Sequence, residues 1–429
     1  MREGEPAVPL QHSIPIQAEP SSPAPLPQEQ TLLVPLGLPG FQILRQACTS
    51  AGDLEVTLIS TALRVPCPGC GRVSPKQHDR RLRRKRDVPL AGRQISLLLV
   101  KRRFWCVTCQ RAFTEADTIC GWRRRTTTRL REAIGTQAYS RPIAHVAAEL
   151  KVGPRLVQSC LETVAQGRLS QQGRTLQAQA PLPTPHFLGI DDFARRKGQR
   201  YATILCDLEA RRVLDVVVGR TQAEVCPLLE RLDAPERVEA VSMDMSGVFR
   251  EAVHLCLPRA RIVADHFHVV QHLGKALAQV VNRYARSQEG RAALKGHRHL
   301  FLRAREDLKP EEDVTRAQLA ARFPDLDAAW RHKEALRRWY ASATDRDAAA
   351  GLDAWIATVE REGPAELVQA LSAFRSWRAE ILNFFAFLPT RISNGFVEGK
   401  NNRTKALMRQ AYGYRNQEHL RLRILLAVA

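Results

Sequence analysis

Short apolar runs separated by turns dominate the chain from Thr31 to about Cys120. LEVTLIST and RQISLLLVKRRF are typical, and their pattern predicts strands. From Arg123 to about Gln166 the apolar positions recur at helical spacing. A polar stretch ending in PLPTP then reads as a linker over residues 171–185. The following block predicts the order β-β-β-α-β-α-β. Its strands are HFLGI (186–190), RYATILCD (200–207), RRVLDVVV (211–218), VEAVSM (238–243) and ARIVA (260–264), with helices at Thr221–Leu232 and Ser246–Leu257. After His266 the pattern is helical almost to the end, interrupted near Pro310, Pro324, Pro364 and Pro389. Four of the six tryptophans fall in that stretch and read as anchors of a helical core. Residues 1–30 are rich in Pro, Gln and Ser and are expected to form a disordered tail.

A chain of 429 residues has room for two to four domains. Its apolar fraction, 44%, is that of a globular protein, and no run approaches the roughly 18 apolar residues of a membrane span. No signal peptide is recognisable, so a cytoplasmic, nucleoid-associated location is expected. Charge changes the picture more. The formal net charge is +21, and residues 64–131 carry 19 Lys/Arg against 4 Asp/Glu. Such a concentrated excess points to a polyanionic partner, double-stranded DNA being the expected one.

Six of the ten cysteines are scattered singly and read as reduced thiols. The other four form two C-x-x-C knuckles, Cys67 with Cys70 in CPGCG and Cys106 with Cys109 in FWCVTC. Two knuckles make a tetrahedral sulfur cage of the kind that holds structural zinc, here as a zinc ribbon within residues 31–120. A redox role would need only one pair. The basic residues around the knuckles are candidate phosphate contacts: Arg80, Arg81, Arg83, Arg84, Lys85, Arg86, Lys101, Arg102, Arg103, Arg123, Arg124 and Arg125.

Residues 121–170 contain a candidate helix-turn-helix, RPIAHVAAELKVGPRLVQSCLETVA (141–165). Val146, Ala147 and Leu150 form one apolar stripe, and Val157, Cys160, Leu161 and Val164 another. Lys151 stands in the turn where glycine is commoner. On the second helix, Arg155 and Gln158 would lie on or near the face that reads the major groove.

The α/β block holds the candidate chemistry. Asp191 and Asp192 end one predicted strand and Asp244 ends another, so neighbouring strands would bring carboxylates together. Crowded carboxylates repel unless cations sit between them, and Mg2+ (or Mn2+) suits oxygen ligands. A third acid, Glu398, shares a helix face with Asn402 and Lys405 at i, i+4 and i+7. Two ions held this way can activate an attacking oxygen and stabilise a leaving one. Strand-end aspartates are also common as turn residues. Asp265 and His268, in ADHFHV, read either as supporting groups or as a cap and a structural histidine.

From about residue 35 to the end, the chain resembles the ISL3 family of bacterial insertion-sequence transposases. The resemblance rests on CPGCG with FWCVTC, LGIDDFARRKGQRYATILCD, VSMDMSGVFREAV, ARIVADHFHVVQ and SNGFVEGKNNRTKALMRQAYGYRN, in that order. It implies an α/β ribonuclease-H-like catalytic domain (a mixed five-stranded sheet with flanking helices) with an acidic triad of Asp191, Asp244 and Glu398. The catalytic domain would occupy 186–273 and 386–429, with a helical insertion at 274–385. It implies two-metal phosphoryl transfer on DNA, binding to terminal inverted repeats, and a homo-oligomer assembled on paired ends. The competing reading is a zinc and helix-turn-helix regulator derived from an inactive transposase.

Overall fold

The computed structural model describes residues 36–426 apart from 122, 178, 197, 199, 412 and 415; the expected tail at 1–30 lies outside these. The chain divides into two compact units, one ending at Thr127 and the other beginning at Thr128.

Among the described residues, the first unit is all strand: β1 (Phe41–Cys48), β2 (Leu54–Ser60), β3 (Val65–Pro66), β4 (Val73–Ser74), β5 (Gln77–Leu90), β6 (Arg93–Cys106) and β7 (Arg111–Thr114). The main sheet runs β1-β2-β6-β5, with β7 added to the end of β6. Alternation on β6 places Ile95, Leu97 and Leu99 against Val56 and Leu58, forming the core of one face. β5 and β6 form a long antiparallel hairpin, and β6 ends at the second cysteine knuckle.

The second unit starts with α1 (Thr128–Ser140), α2 (Ile143–Glu149) and α3 (Pro154–Gln171). Of the apolar stripes of α2 and α3, Val146, Ala147, Leu150, Val157, Cys160 and Leu161 are buried as the pattern predicts, while Val164 is half-buried. Lys151 adopts φ +49° in the turn between them, the left-handed conformation that favours glycine. In α1, Gly135 lets α3 approach closely, since a Cβ there would stand 2.5 Å from the Cys160 carbonyl oxygen.

Next come β8 (Phe187–Arg196), β9 (Arg200–Asp207), β10 (Arg212–Val218), α4 (Gln222–Leu229), β11 (Ala240–Met243), α5 (Gly247–Cys256) and β12 (Arg261–Ala264). This is the expected order. The sheet runs β10-β9-β8-β11-β12; its first three strands are antiparallel, and β8, β11 and β12 are parallel. One difference matters for the site. β8 does not end at residue 190 but continues to Arg196, because β9 pairs with it along that length. Asp191 and Asp192 therefore lie within a strand. Only the parallel pairing with β11 stops earlier, at Gly189.

A helical stretch follows: α6 (His266–Tyr284), α7 (Gln288–Ala293), α8 (His299–Leu302), α9 (Pro310–Arg322), α10 (Pro324–Ser342), α11 (Ala348–Glu362), α12 (Ala365–Ser376) and α13 (Arg378–Ala386). Trp330, Trp339, Trp355 and Trp377 are all buried in its core. Then α14 (Gly395–Gln410) and α15 (Gln417–Leu426) return to cover the other face of the sheet. Gly189 makes this return possible. A Cβ there would stand 2.6 Å from Val397 Cγ2, so glycine is what allows α14 to seat on β8.

The stretch at 171–185 is not a free linker. Leu182 is buried and its N–H donates to the Arg231 carbonyl at 2.7 Å, while the Ala180 carbonyl accepts from Arg231 Nε at 3.0 Å. Nearby, Asp215 is 1% exposed and receives Arg421 through Nε (2.6 Å) and Nη2 (2.9 Å), with Arg231 Nη1 at 2.6 Å. Two guanidiniums thus converge on one buried carboxylate and tie α15 and the end of α4 to β10. Asp215→Ala would strand both charges. It is expected to destabilise this unit by about 3–5 kcal/mol, read from chemical denaturation.

Candidate active site and zinc centre

In the first unit Cys67, Cys70, Cys106 and Cys109 place their sulfurs within 4.8 Å of one another, with Cys67–Cys109 at 3.9 Å and Cys70–Cys106 at 3.6 Å. A tetrahedron with Zn–S bonds of about 2.3 Å puts its sulfurs roughly 3.8 Å apart, so the cage fits zinc. The Gly69 N–H, 3.4 Å from Cys67 Sγ, leads the contacts that pull the Cys67 thiol down to about 6. Phe104, Phe113 and Val65 pack around the knuckles.

The hairpin sorts the basic residues. Strand alternation carries Lys85 and Lys101 onto the buried face, opposite and after the leucines of β6. Lys101 Nζ donates to the Ala116 carbonyl at 2.6 Å, and Lys85 Nζ reaches the Arg124 carbonyl and Asp117 Oδ2 (3.2 Å). These two are internal braces, contrary to the expectation that they face phosphate. Arg102 is committed to Glu115 (2.8 Å), Arg103 to Asp79 (2.8 Å), Arg84 to Glu55 (2.8 Å) and Arg86 to Gln94 (2.7 Å). Arg80, Arg81 and Arg83 are exposed and enter no ion pair among the described residues; Arg123, Arg124 and Arg125 are exposed. On α3, Arg155 is exposed, whereas Gln158 donates to Glu162 at 2.7 Å.

In the second unit, the sheet register itself builds the acidic site. On the parallel strands Ser242 pairs with Gly189, and Met243 pairs with Ala264. Two residues beyond the first pair stand Asp244 and Asp191; one residue beyond the second stand Asp244 and Asp265. The sheet therefore sets Asp191, Asp244 and Asp265 in one row just past the last parallel pairs of three adjacent strands, Asp191 within β8 and the other two beyond the ends of β11 and β12.

Alternation along β8 separates the two adjacent aspartates. Asp191 shares a face with Gly189 and Phe193, the face that α14 covers, and Asn401 Nδ2 of α14 donates to Asp191 Oδ2 at 2.7 Å. Asp192 points the other way and meets Arg220 Nη1 at 3.3 Å. Burial, and then the charge of nearby Asp244, push the Asp191 carboxyl up to about 7.

Asp265 is buried, accepting from the Asn394 N–H (3.0 Å) and from His268 Nδ1 (3.0 Å). The same nitrogen lies 2.8 Å from Asp244 Oδ1. His268 therefore stands between the two carboxylates, hydrogen-bonded to Asp265 and ion-paired with Asp244 Oδ1, an atom shielded from solvent. Burial opposes charge on His268, but the two carboxylates outweigh it and push the imidazole up to about 10.

Glu398, Asn402 and Lys405 are all exposed on α14. Glu398 lies one turn before Asn401, on the flank of α14 next to the face that holds Asp191. The structure does not draw it into ligand distance. Among the described residues, the four cysteines are the one ligand set that closely grouped. Two contacts had not been anticipated. Asn401, rather than its neighbour Asn402, touches Asp191. Asn394, seven residues earlier on the same face, joins Asp265 to the Ile190 carbonyl (2.9 Å). Their spacing with the buried Val397 marked that face in the sequence.

A family model described as "Transposase", of the ISL3 type, matches residues 188–424, and a model for the zinc finger of the transposases of IS204, IS1001, IS1096 and IS1165 matches residues 64–109. The chain is 29% identical over 378 residues to the transposase for insertion sequence element IS1001 of Bordetella parapertussis, covering 86% of this chain and 90% of that one. It is 25% identical over 269 residues to the transposase for insertion sequence element IS1557 of Mycobacterium tuberculosis, covering 56% of this chain and 60% of that one. No helix among the described residues is long and apolar enough to cross a membrane. Because the ISL3 model spans more than half the chain and takes in the whole acidic row, this chain belongs to the ISL3 family of DNA transposases.

Proposed function

We propose that Asp191, Asp244 and Glu398 form a D-D-E triad that holds Mg2+ (or Mn2+), and that the chain cuts and joins DNA at the terminal inverted repeats of an insertion sequence. The observation that carries this reading is the register-aligned row of carboxylates, Asp191 and Asp244 among them. An all-oxygen donor set suits a hard divalent ion, and burial with the nearby Asp244 charge raises the Asp191 carboxyl, a repulsion that a bound cation would relieve. Glu398 enters from its place on α14, and its carboxylate is the third acid of the set. The sheet order, with three antiparallel strands followed by two parallel ones, supports the ribonuclease-H-like fold.

Divalent ions in this site would supply Lewis-acid activation of a water oxygen and neutralise charge on the phosphate. The residues supply the geometry. Asn401 and the Asp192 N–H (2.7 Å) each hold one oxygen of Asp191 in place. His268, charged and anchored on Asp265, fixes Asp244. Lys405 and Asn402, exposed on the same helix, face the DNA backbone. Hydrolysis at the element end leaves a 3′-OH, which attacks a second phosphodiester in line; that bond forms as the leaving strand departs with its own 3′-OH.

Helices α2 and α3 act as the helix-turn-helix and present Arg155, while the zinc ribbon presents Arg80, Arg81 and Arg83 with Arg123, Arg124 and Arg125. The active form is a homo-oligomer on paired ends, in the nucleoid of the cytoplasm. The expected domain scheme changes in two respects: residues 171–185 are pinned rather than a free linker, and α1–α3 pack with the α/β unit, where Arg423 Nη2 of α15 donates to the Ala138 carbonyl at 3.0 Å.

The test is a duplex carrying the terminal repeat, incubated with Mg2+ or with EDTA. Cleavage and joining only with Mg2+ are expected; tight binding without any cleavage would favour the regulator derived from an inactive transposase. The basic surface has its own signature. Arg81→Ala and Arg83→Ala are each expected to lower the slope of log Kobs against log salt by about 0.9 per lost phosphate contact. Lys85→Ala and Lys101→Ala should instead lower the thermal midpoint with little change in that slope.

A further inference from the structure

Beside the acidic row lies a cavity of ≈ 760 Å³ that no step above uses. It is walled by one face of α6 and by α10, α13 and the 391–393 segment. Its volume is within the range of about 300–1,000 Å³ usual for small-molecule sites. Three features bear on what fits there. The wall is aromatic: Phe267, Tyr340 and Phe384 line it, and Phe267 is 48% exposed. The rim carries Lys275 and Arg391, neither of which enters an ion pair among the described residues, together with one exposed acid, Asp307. Tyr340 is only 7% exposed, yet its hydroxyl has no hydrogen-bond partner, and His266 Nδ1, also on the wall, has only the Asp265 carboxylate at 3.8 Å, beyond hydrogen-bond distance.

The cavity wall begins at His266, the first residue of α6 and the neighbour in sequence of Asp265. Phe267 sits edge-on to His268, with ring centroids 5.5 Å apart, and His268 holds Asp244. Asp265, which closes the row, is near enough for its charge to bear on the Tyr340 phenol. A strand with its phosphate at Asp191 and Asp244 that runs on along α6 would pass the mouth of this cavity.

We propose that the cavity receives one nucleobase rotated out of the DNA duplex next to the cut phosphate. Phe267 stacks on the extruded base or fills the gap it leaves, Tyr340 and His266 hydrogen-bond its edge, and Lys275 and Arg391 meet the flanking phosphates. An aromatic wall with a few polar groups and cations on its rim is what an unstacked base on a phosphate chain requires. This rests on the placement of DNA at the acidic row proposed above.

The experiment uses the full chain and terminal-repeat duplexes with 2-aminopurine at successive positions around the cut. Ca2+ replaces Mg2+ during fluorescence, and cleavage is followed separately in Mg2+. One position is expected to brighten several-fold on binding. Phe267→Ala, at an exposed site, should remove that rise and slow cleavage of intact ends by roughly ten- to a hundredfold, the worth of one base stack. An abasic nucleotide at the same position should restore the variant to within a few-fold of wild type. Tyr340→Phe should weaken discrimination among bases there without removing the rise. DNA that is bound and cut with no position brightening overturns the pocket and leaves the D-D-E reading standing. A rise at one position without Mg2+-dependent cleavage supports the pocket and overturns the D-D-E reading.

Discussion

Asp244→Asn is expected to reduce Mg2+-dependent cleavage at the element end by at least about 10²–10³-fold, with DNA affinity and thermal midpoint nearly unchanged. The amide keeps the volume of the carboxylate but removes the charge that a divalent ion and the His268 imidazolium both use. The fold should tolerate this, because Asp244 lies just past the end of β11 and its partner His268 keeps its hydrogen bond to Asp265. Binding should survive because the cations proposed to meet DNA lie on the zinc ribbon, α3 and α14, not in the acidic row. A cleavage assay beside a mobility shift and a thermal melt separates the three quantities. Loss of all three together would make Asp244 a structural residue.

Losing the zinc cage is expected to have the next largest effect. Cys106→Ser should reduce bound zinc from about one per chain to near zero, measured by elemental analysis. Cys106 is buried at the end of β6, the strand that carries the core leucines and half of the basic hairpin. Without the metal, β7 and the knuckles lose their anchor, while Ile95, Leu97 and Leu99 still pack on Val56 and Leu58. The first unit should therefore melt earlier without unfolding completely. Affinity for terminal-repeat DNA should fall by about tenfold or more, because the Arg80–Arg83 edge is no longer held in register. Unchanged affinity with zinc gone would remove the ribbon from DNA recognition.

Much of the site was legible in the chain because sheet register is arithmetic. The interval from Asp191 to Asp244 equals that from Gly189 to Ser242, and Asp244 to Asp265 equals Met243 to Ala264, so the register in which these strands pair aligns the three acids. Periodicity of two likewise separates Asp191 from Asp192 and buries Lys85 and Lys101. Reading those two lysines as part of a basic run overlooked the alternation that sets them on the leucine side.

Other features were not local. β8 extends past residue 190 because β9 pairs there, and no property of FARR itself announces this. Asn401 and Asn394 reach the row only because Gly189 leaves room for α14, a contact between positions some 200 residues apart in sequence. The cavity beside α6 depends on how α10 and α13 pack, which helical spacing alone does not specify.

The central claim, that three acids share divalent ions, is tested most directly by replacing Mg2+ with Fe2+ and letting hydroxyl radicals cut the peptide backbone beside the bound metal. The account predicts cuts near residues 191, 244 and 398, competed away by Mg2+ and lost together in Asp244→Asn. Cuts near 191 and 244 without 398, or none that Mg2+ protects, would contradict it.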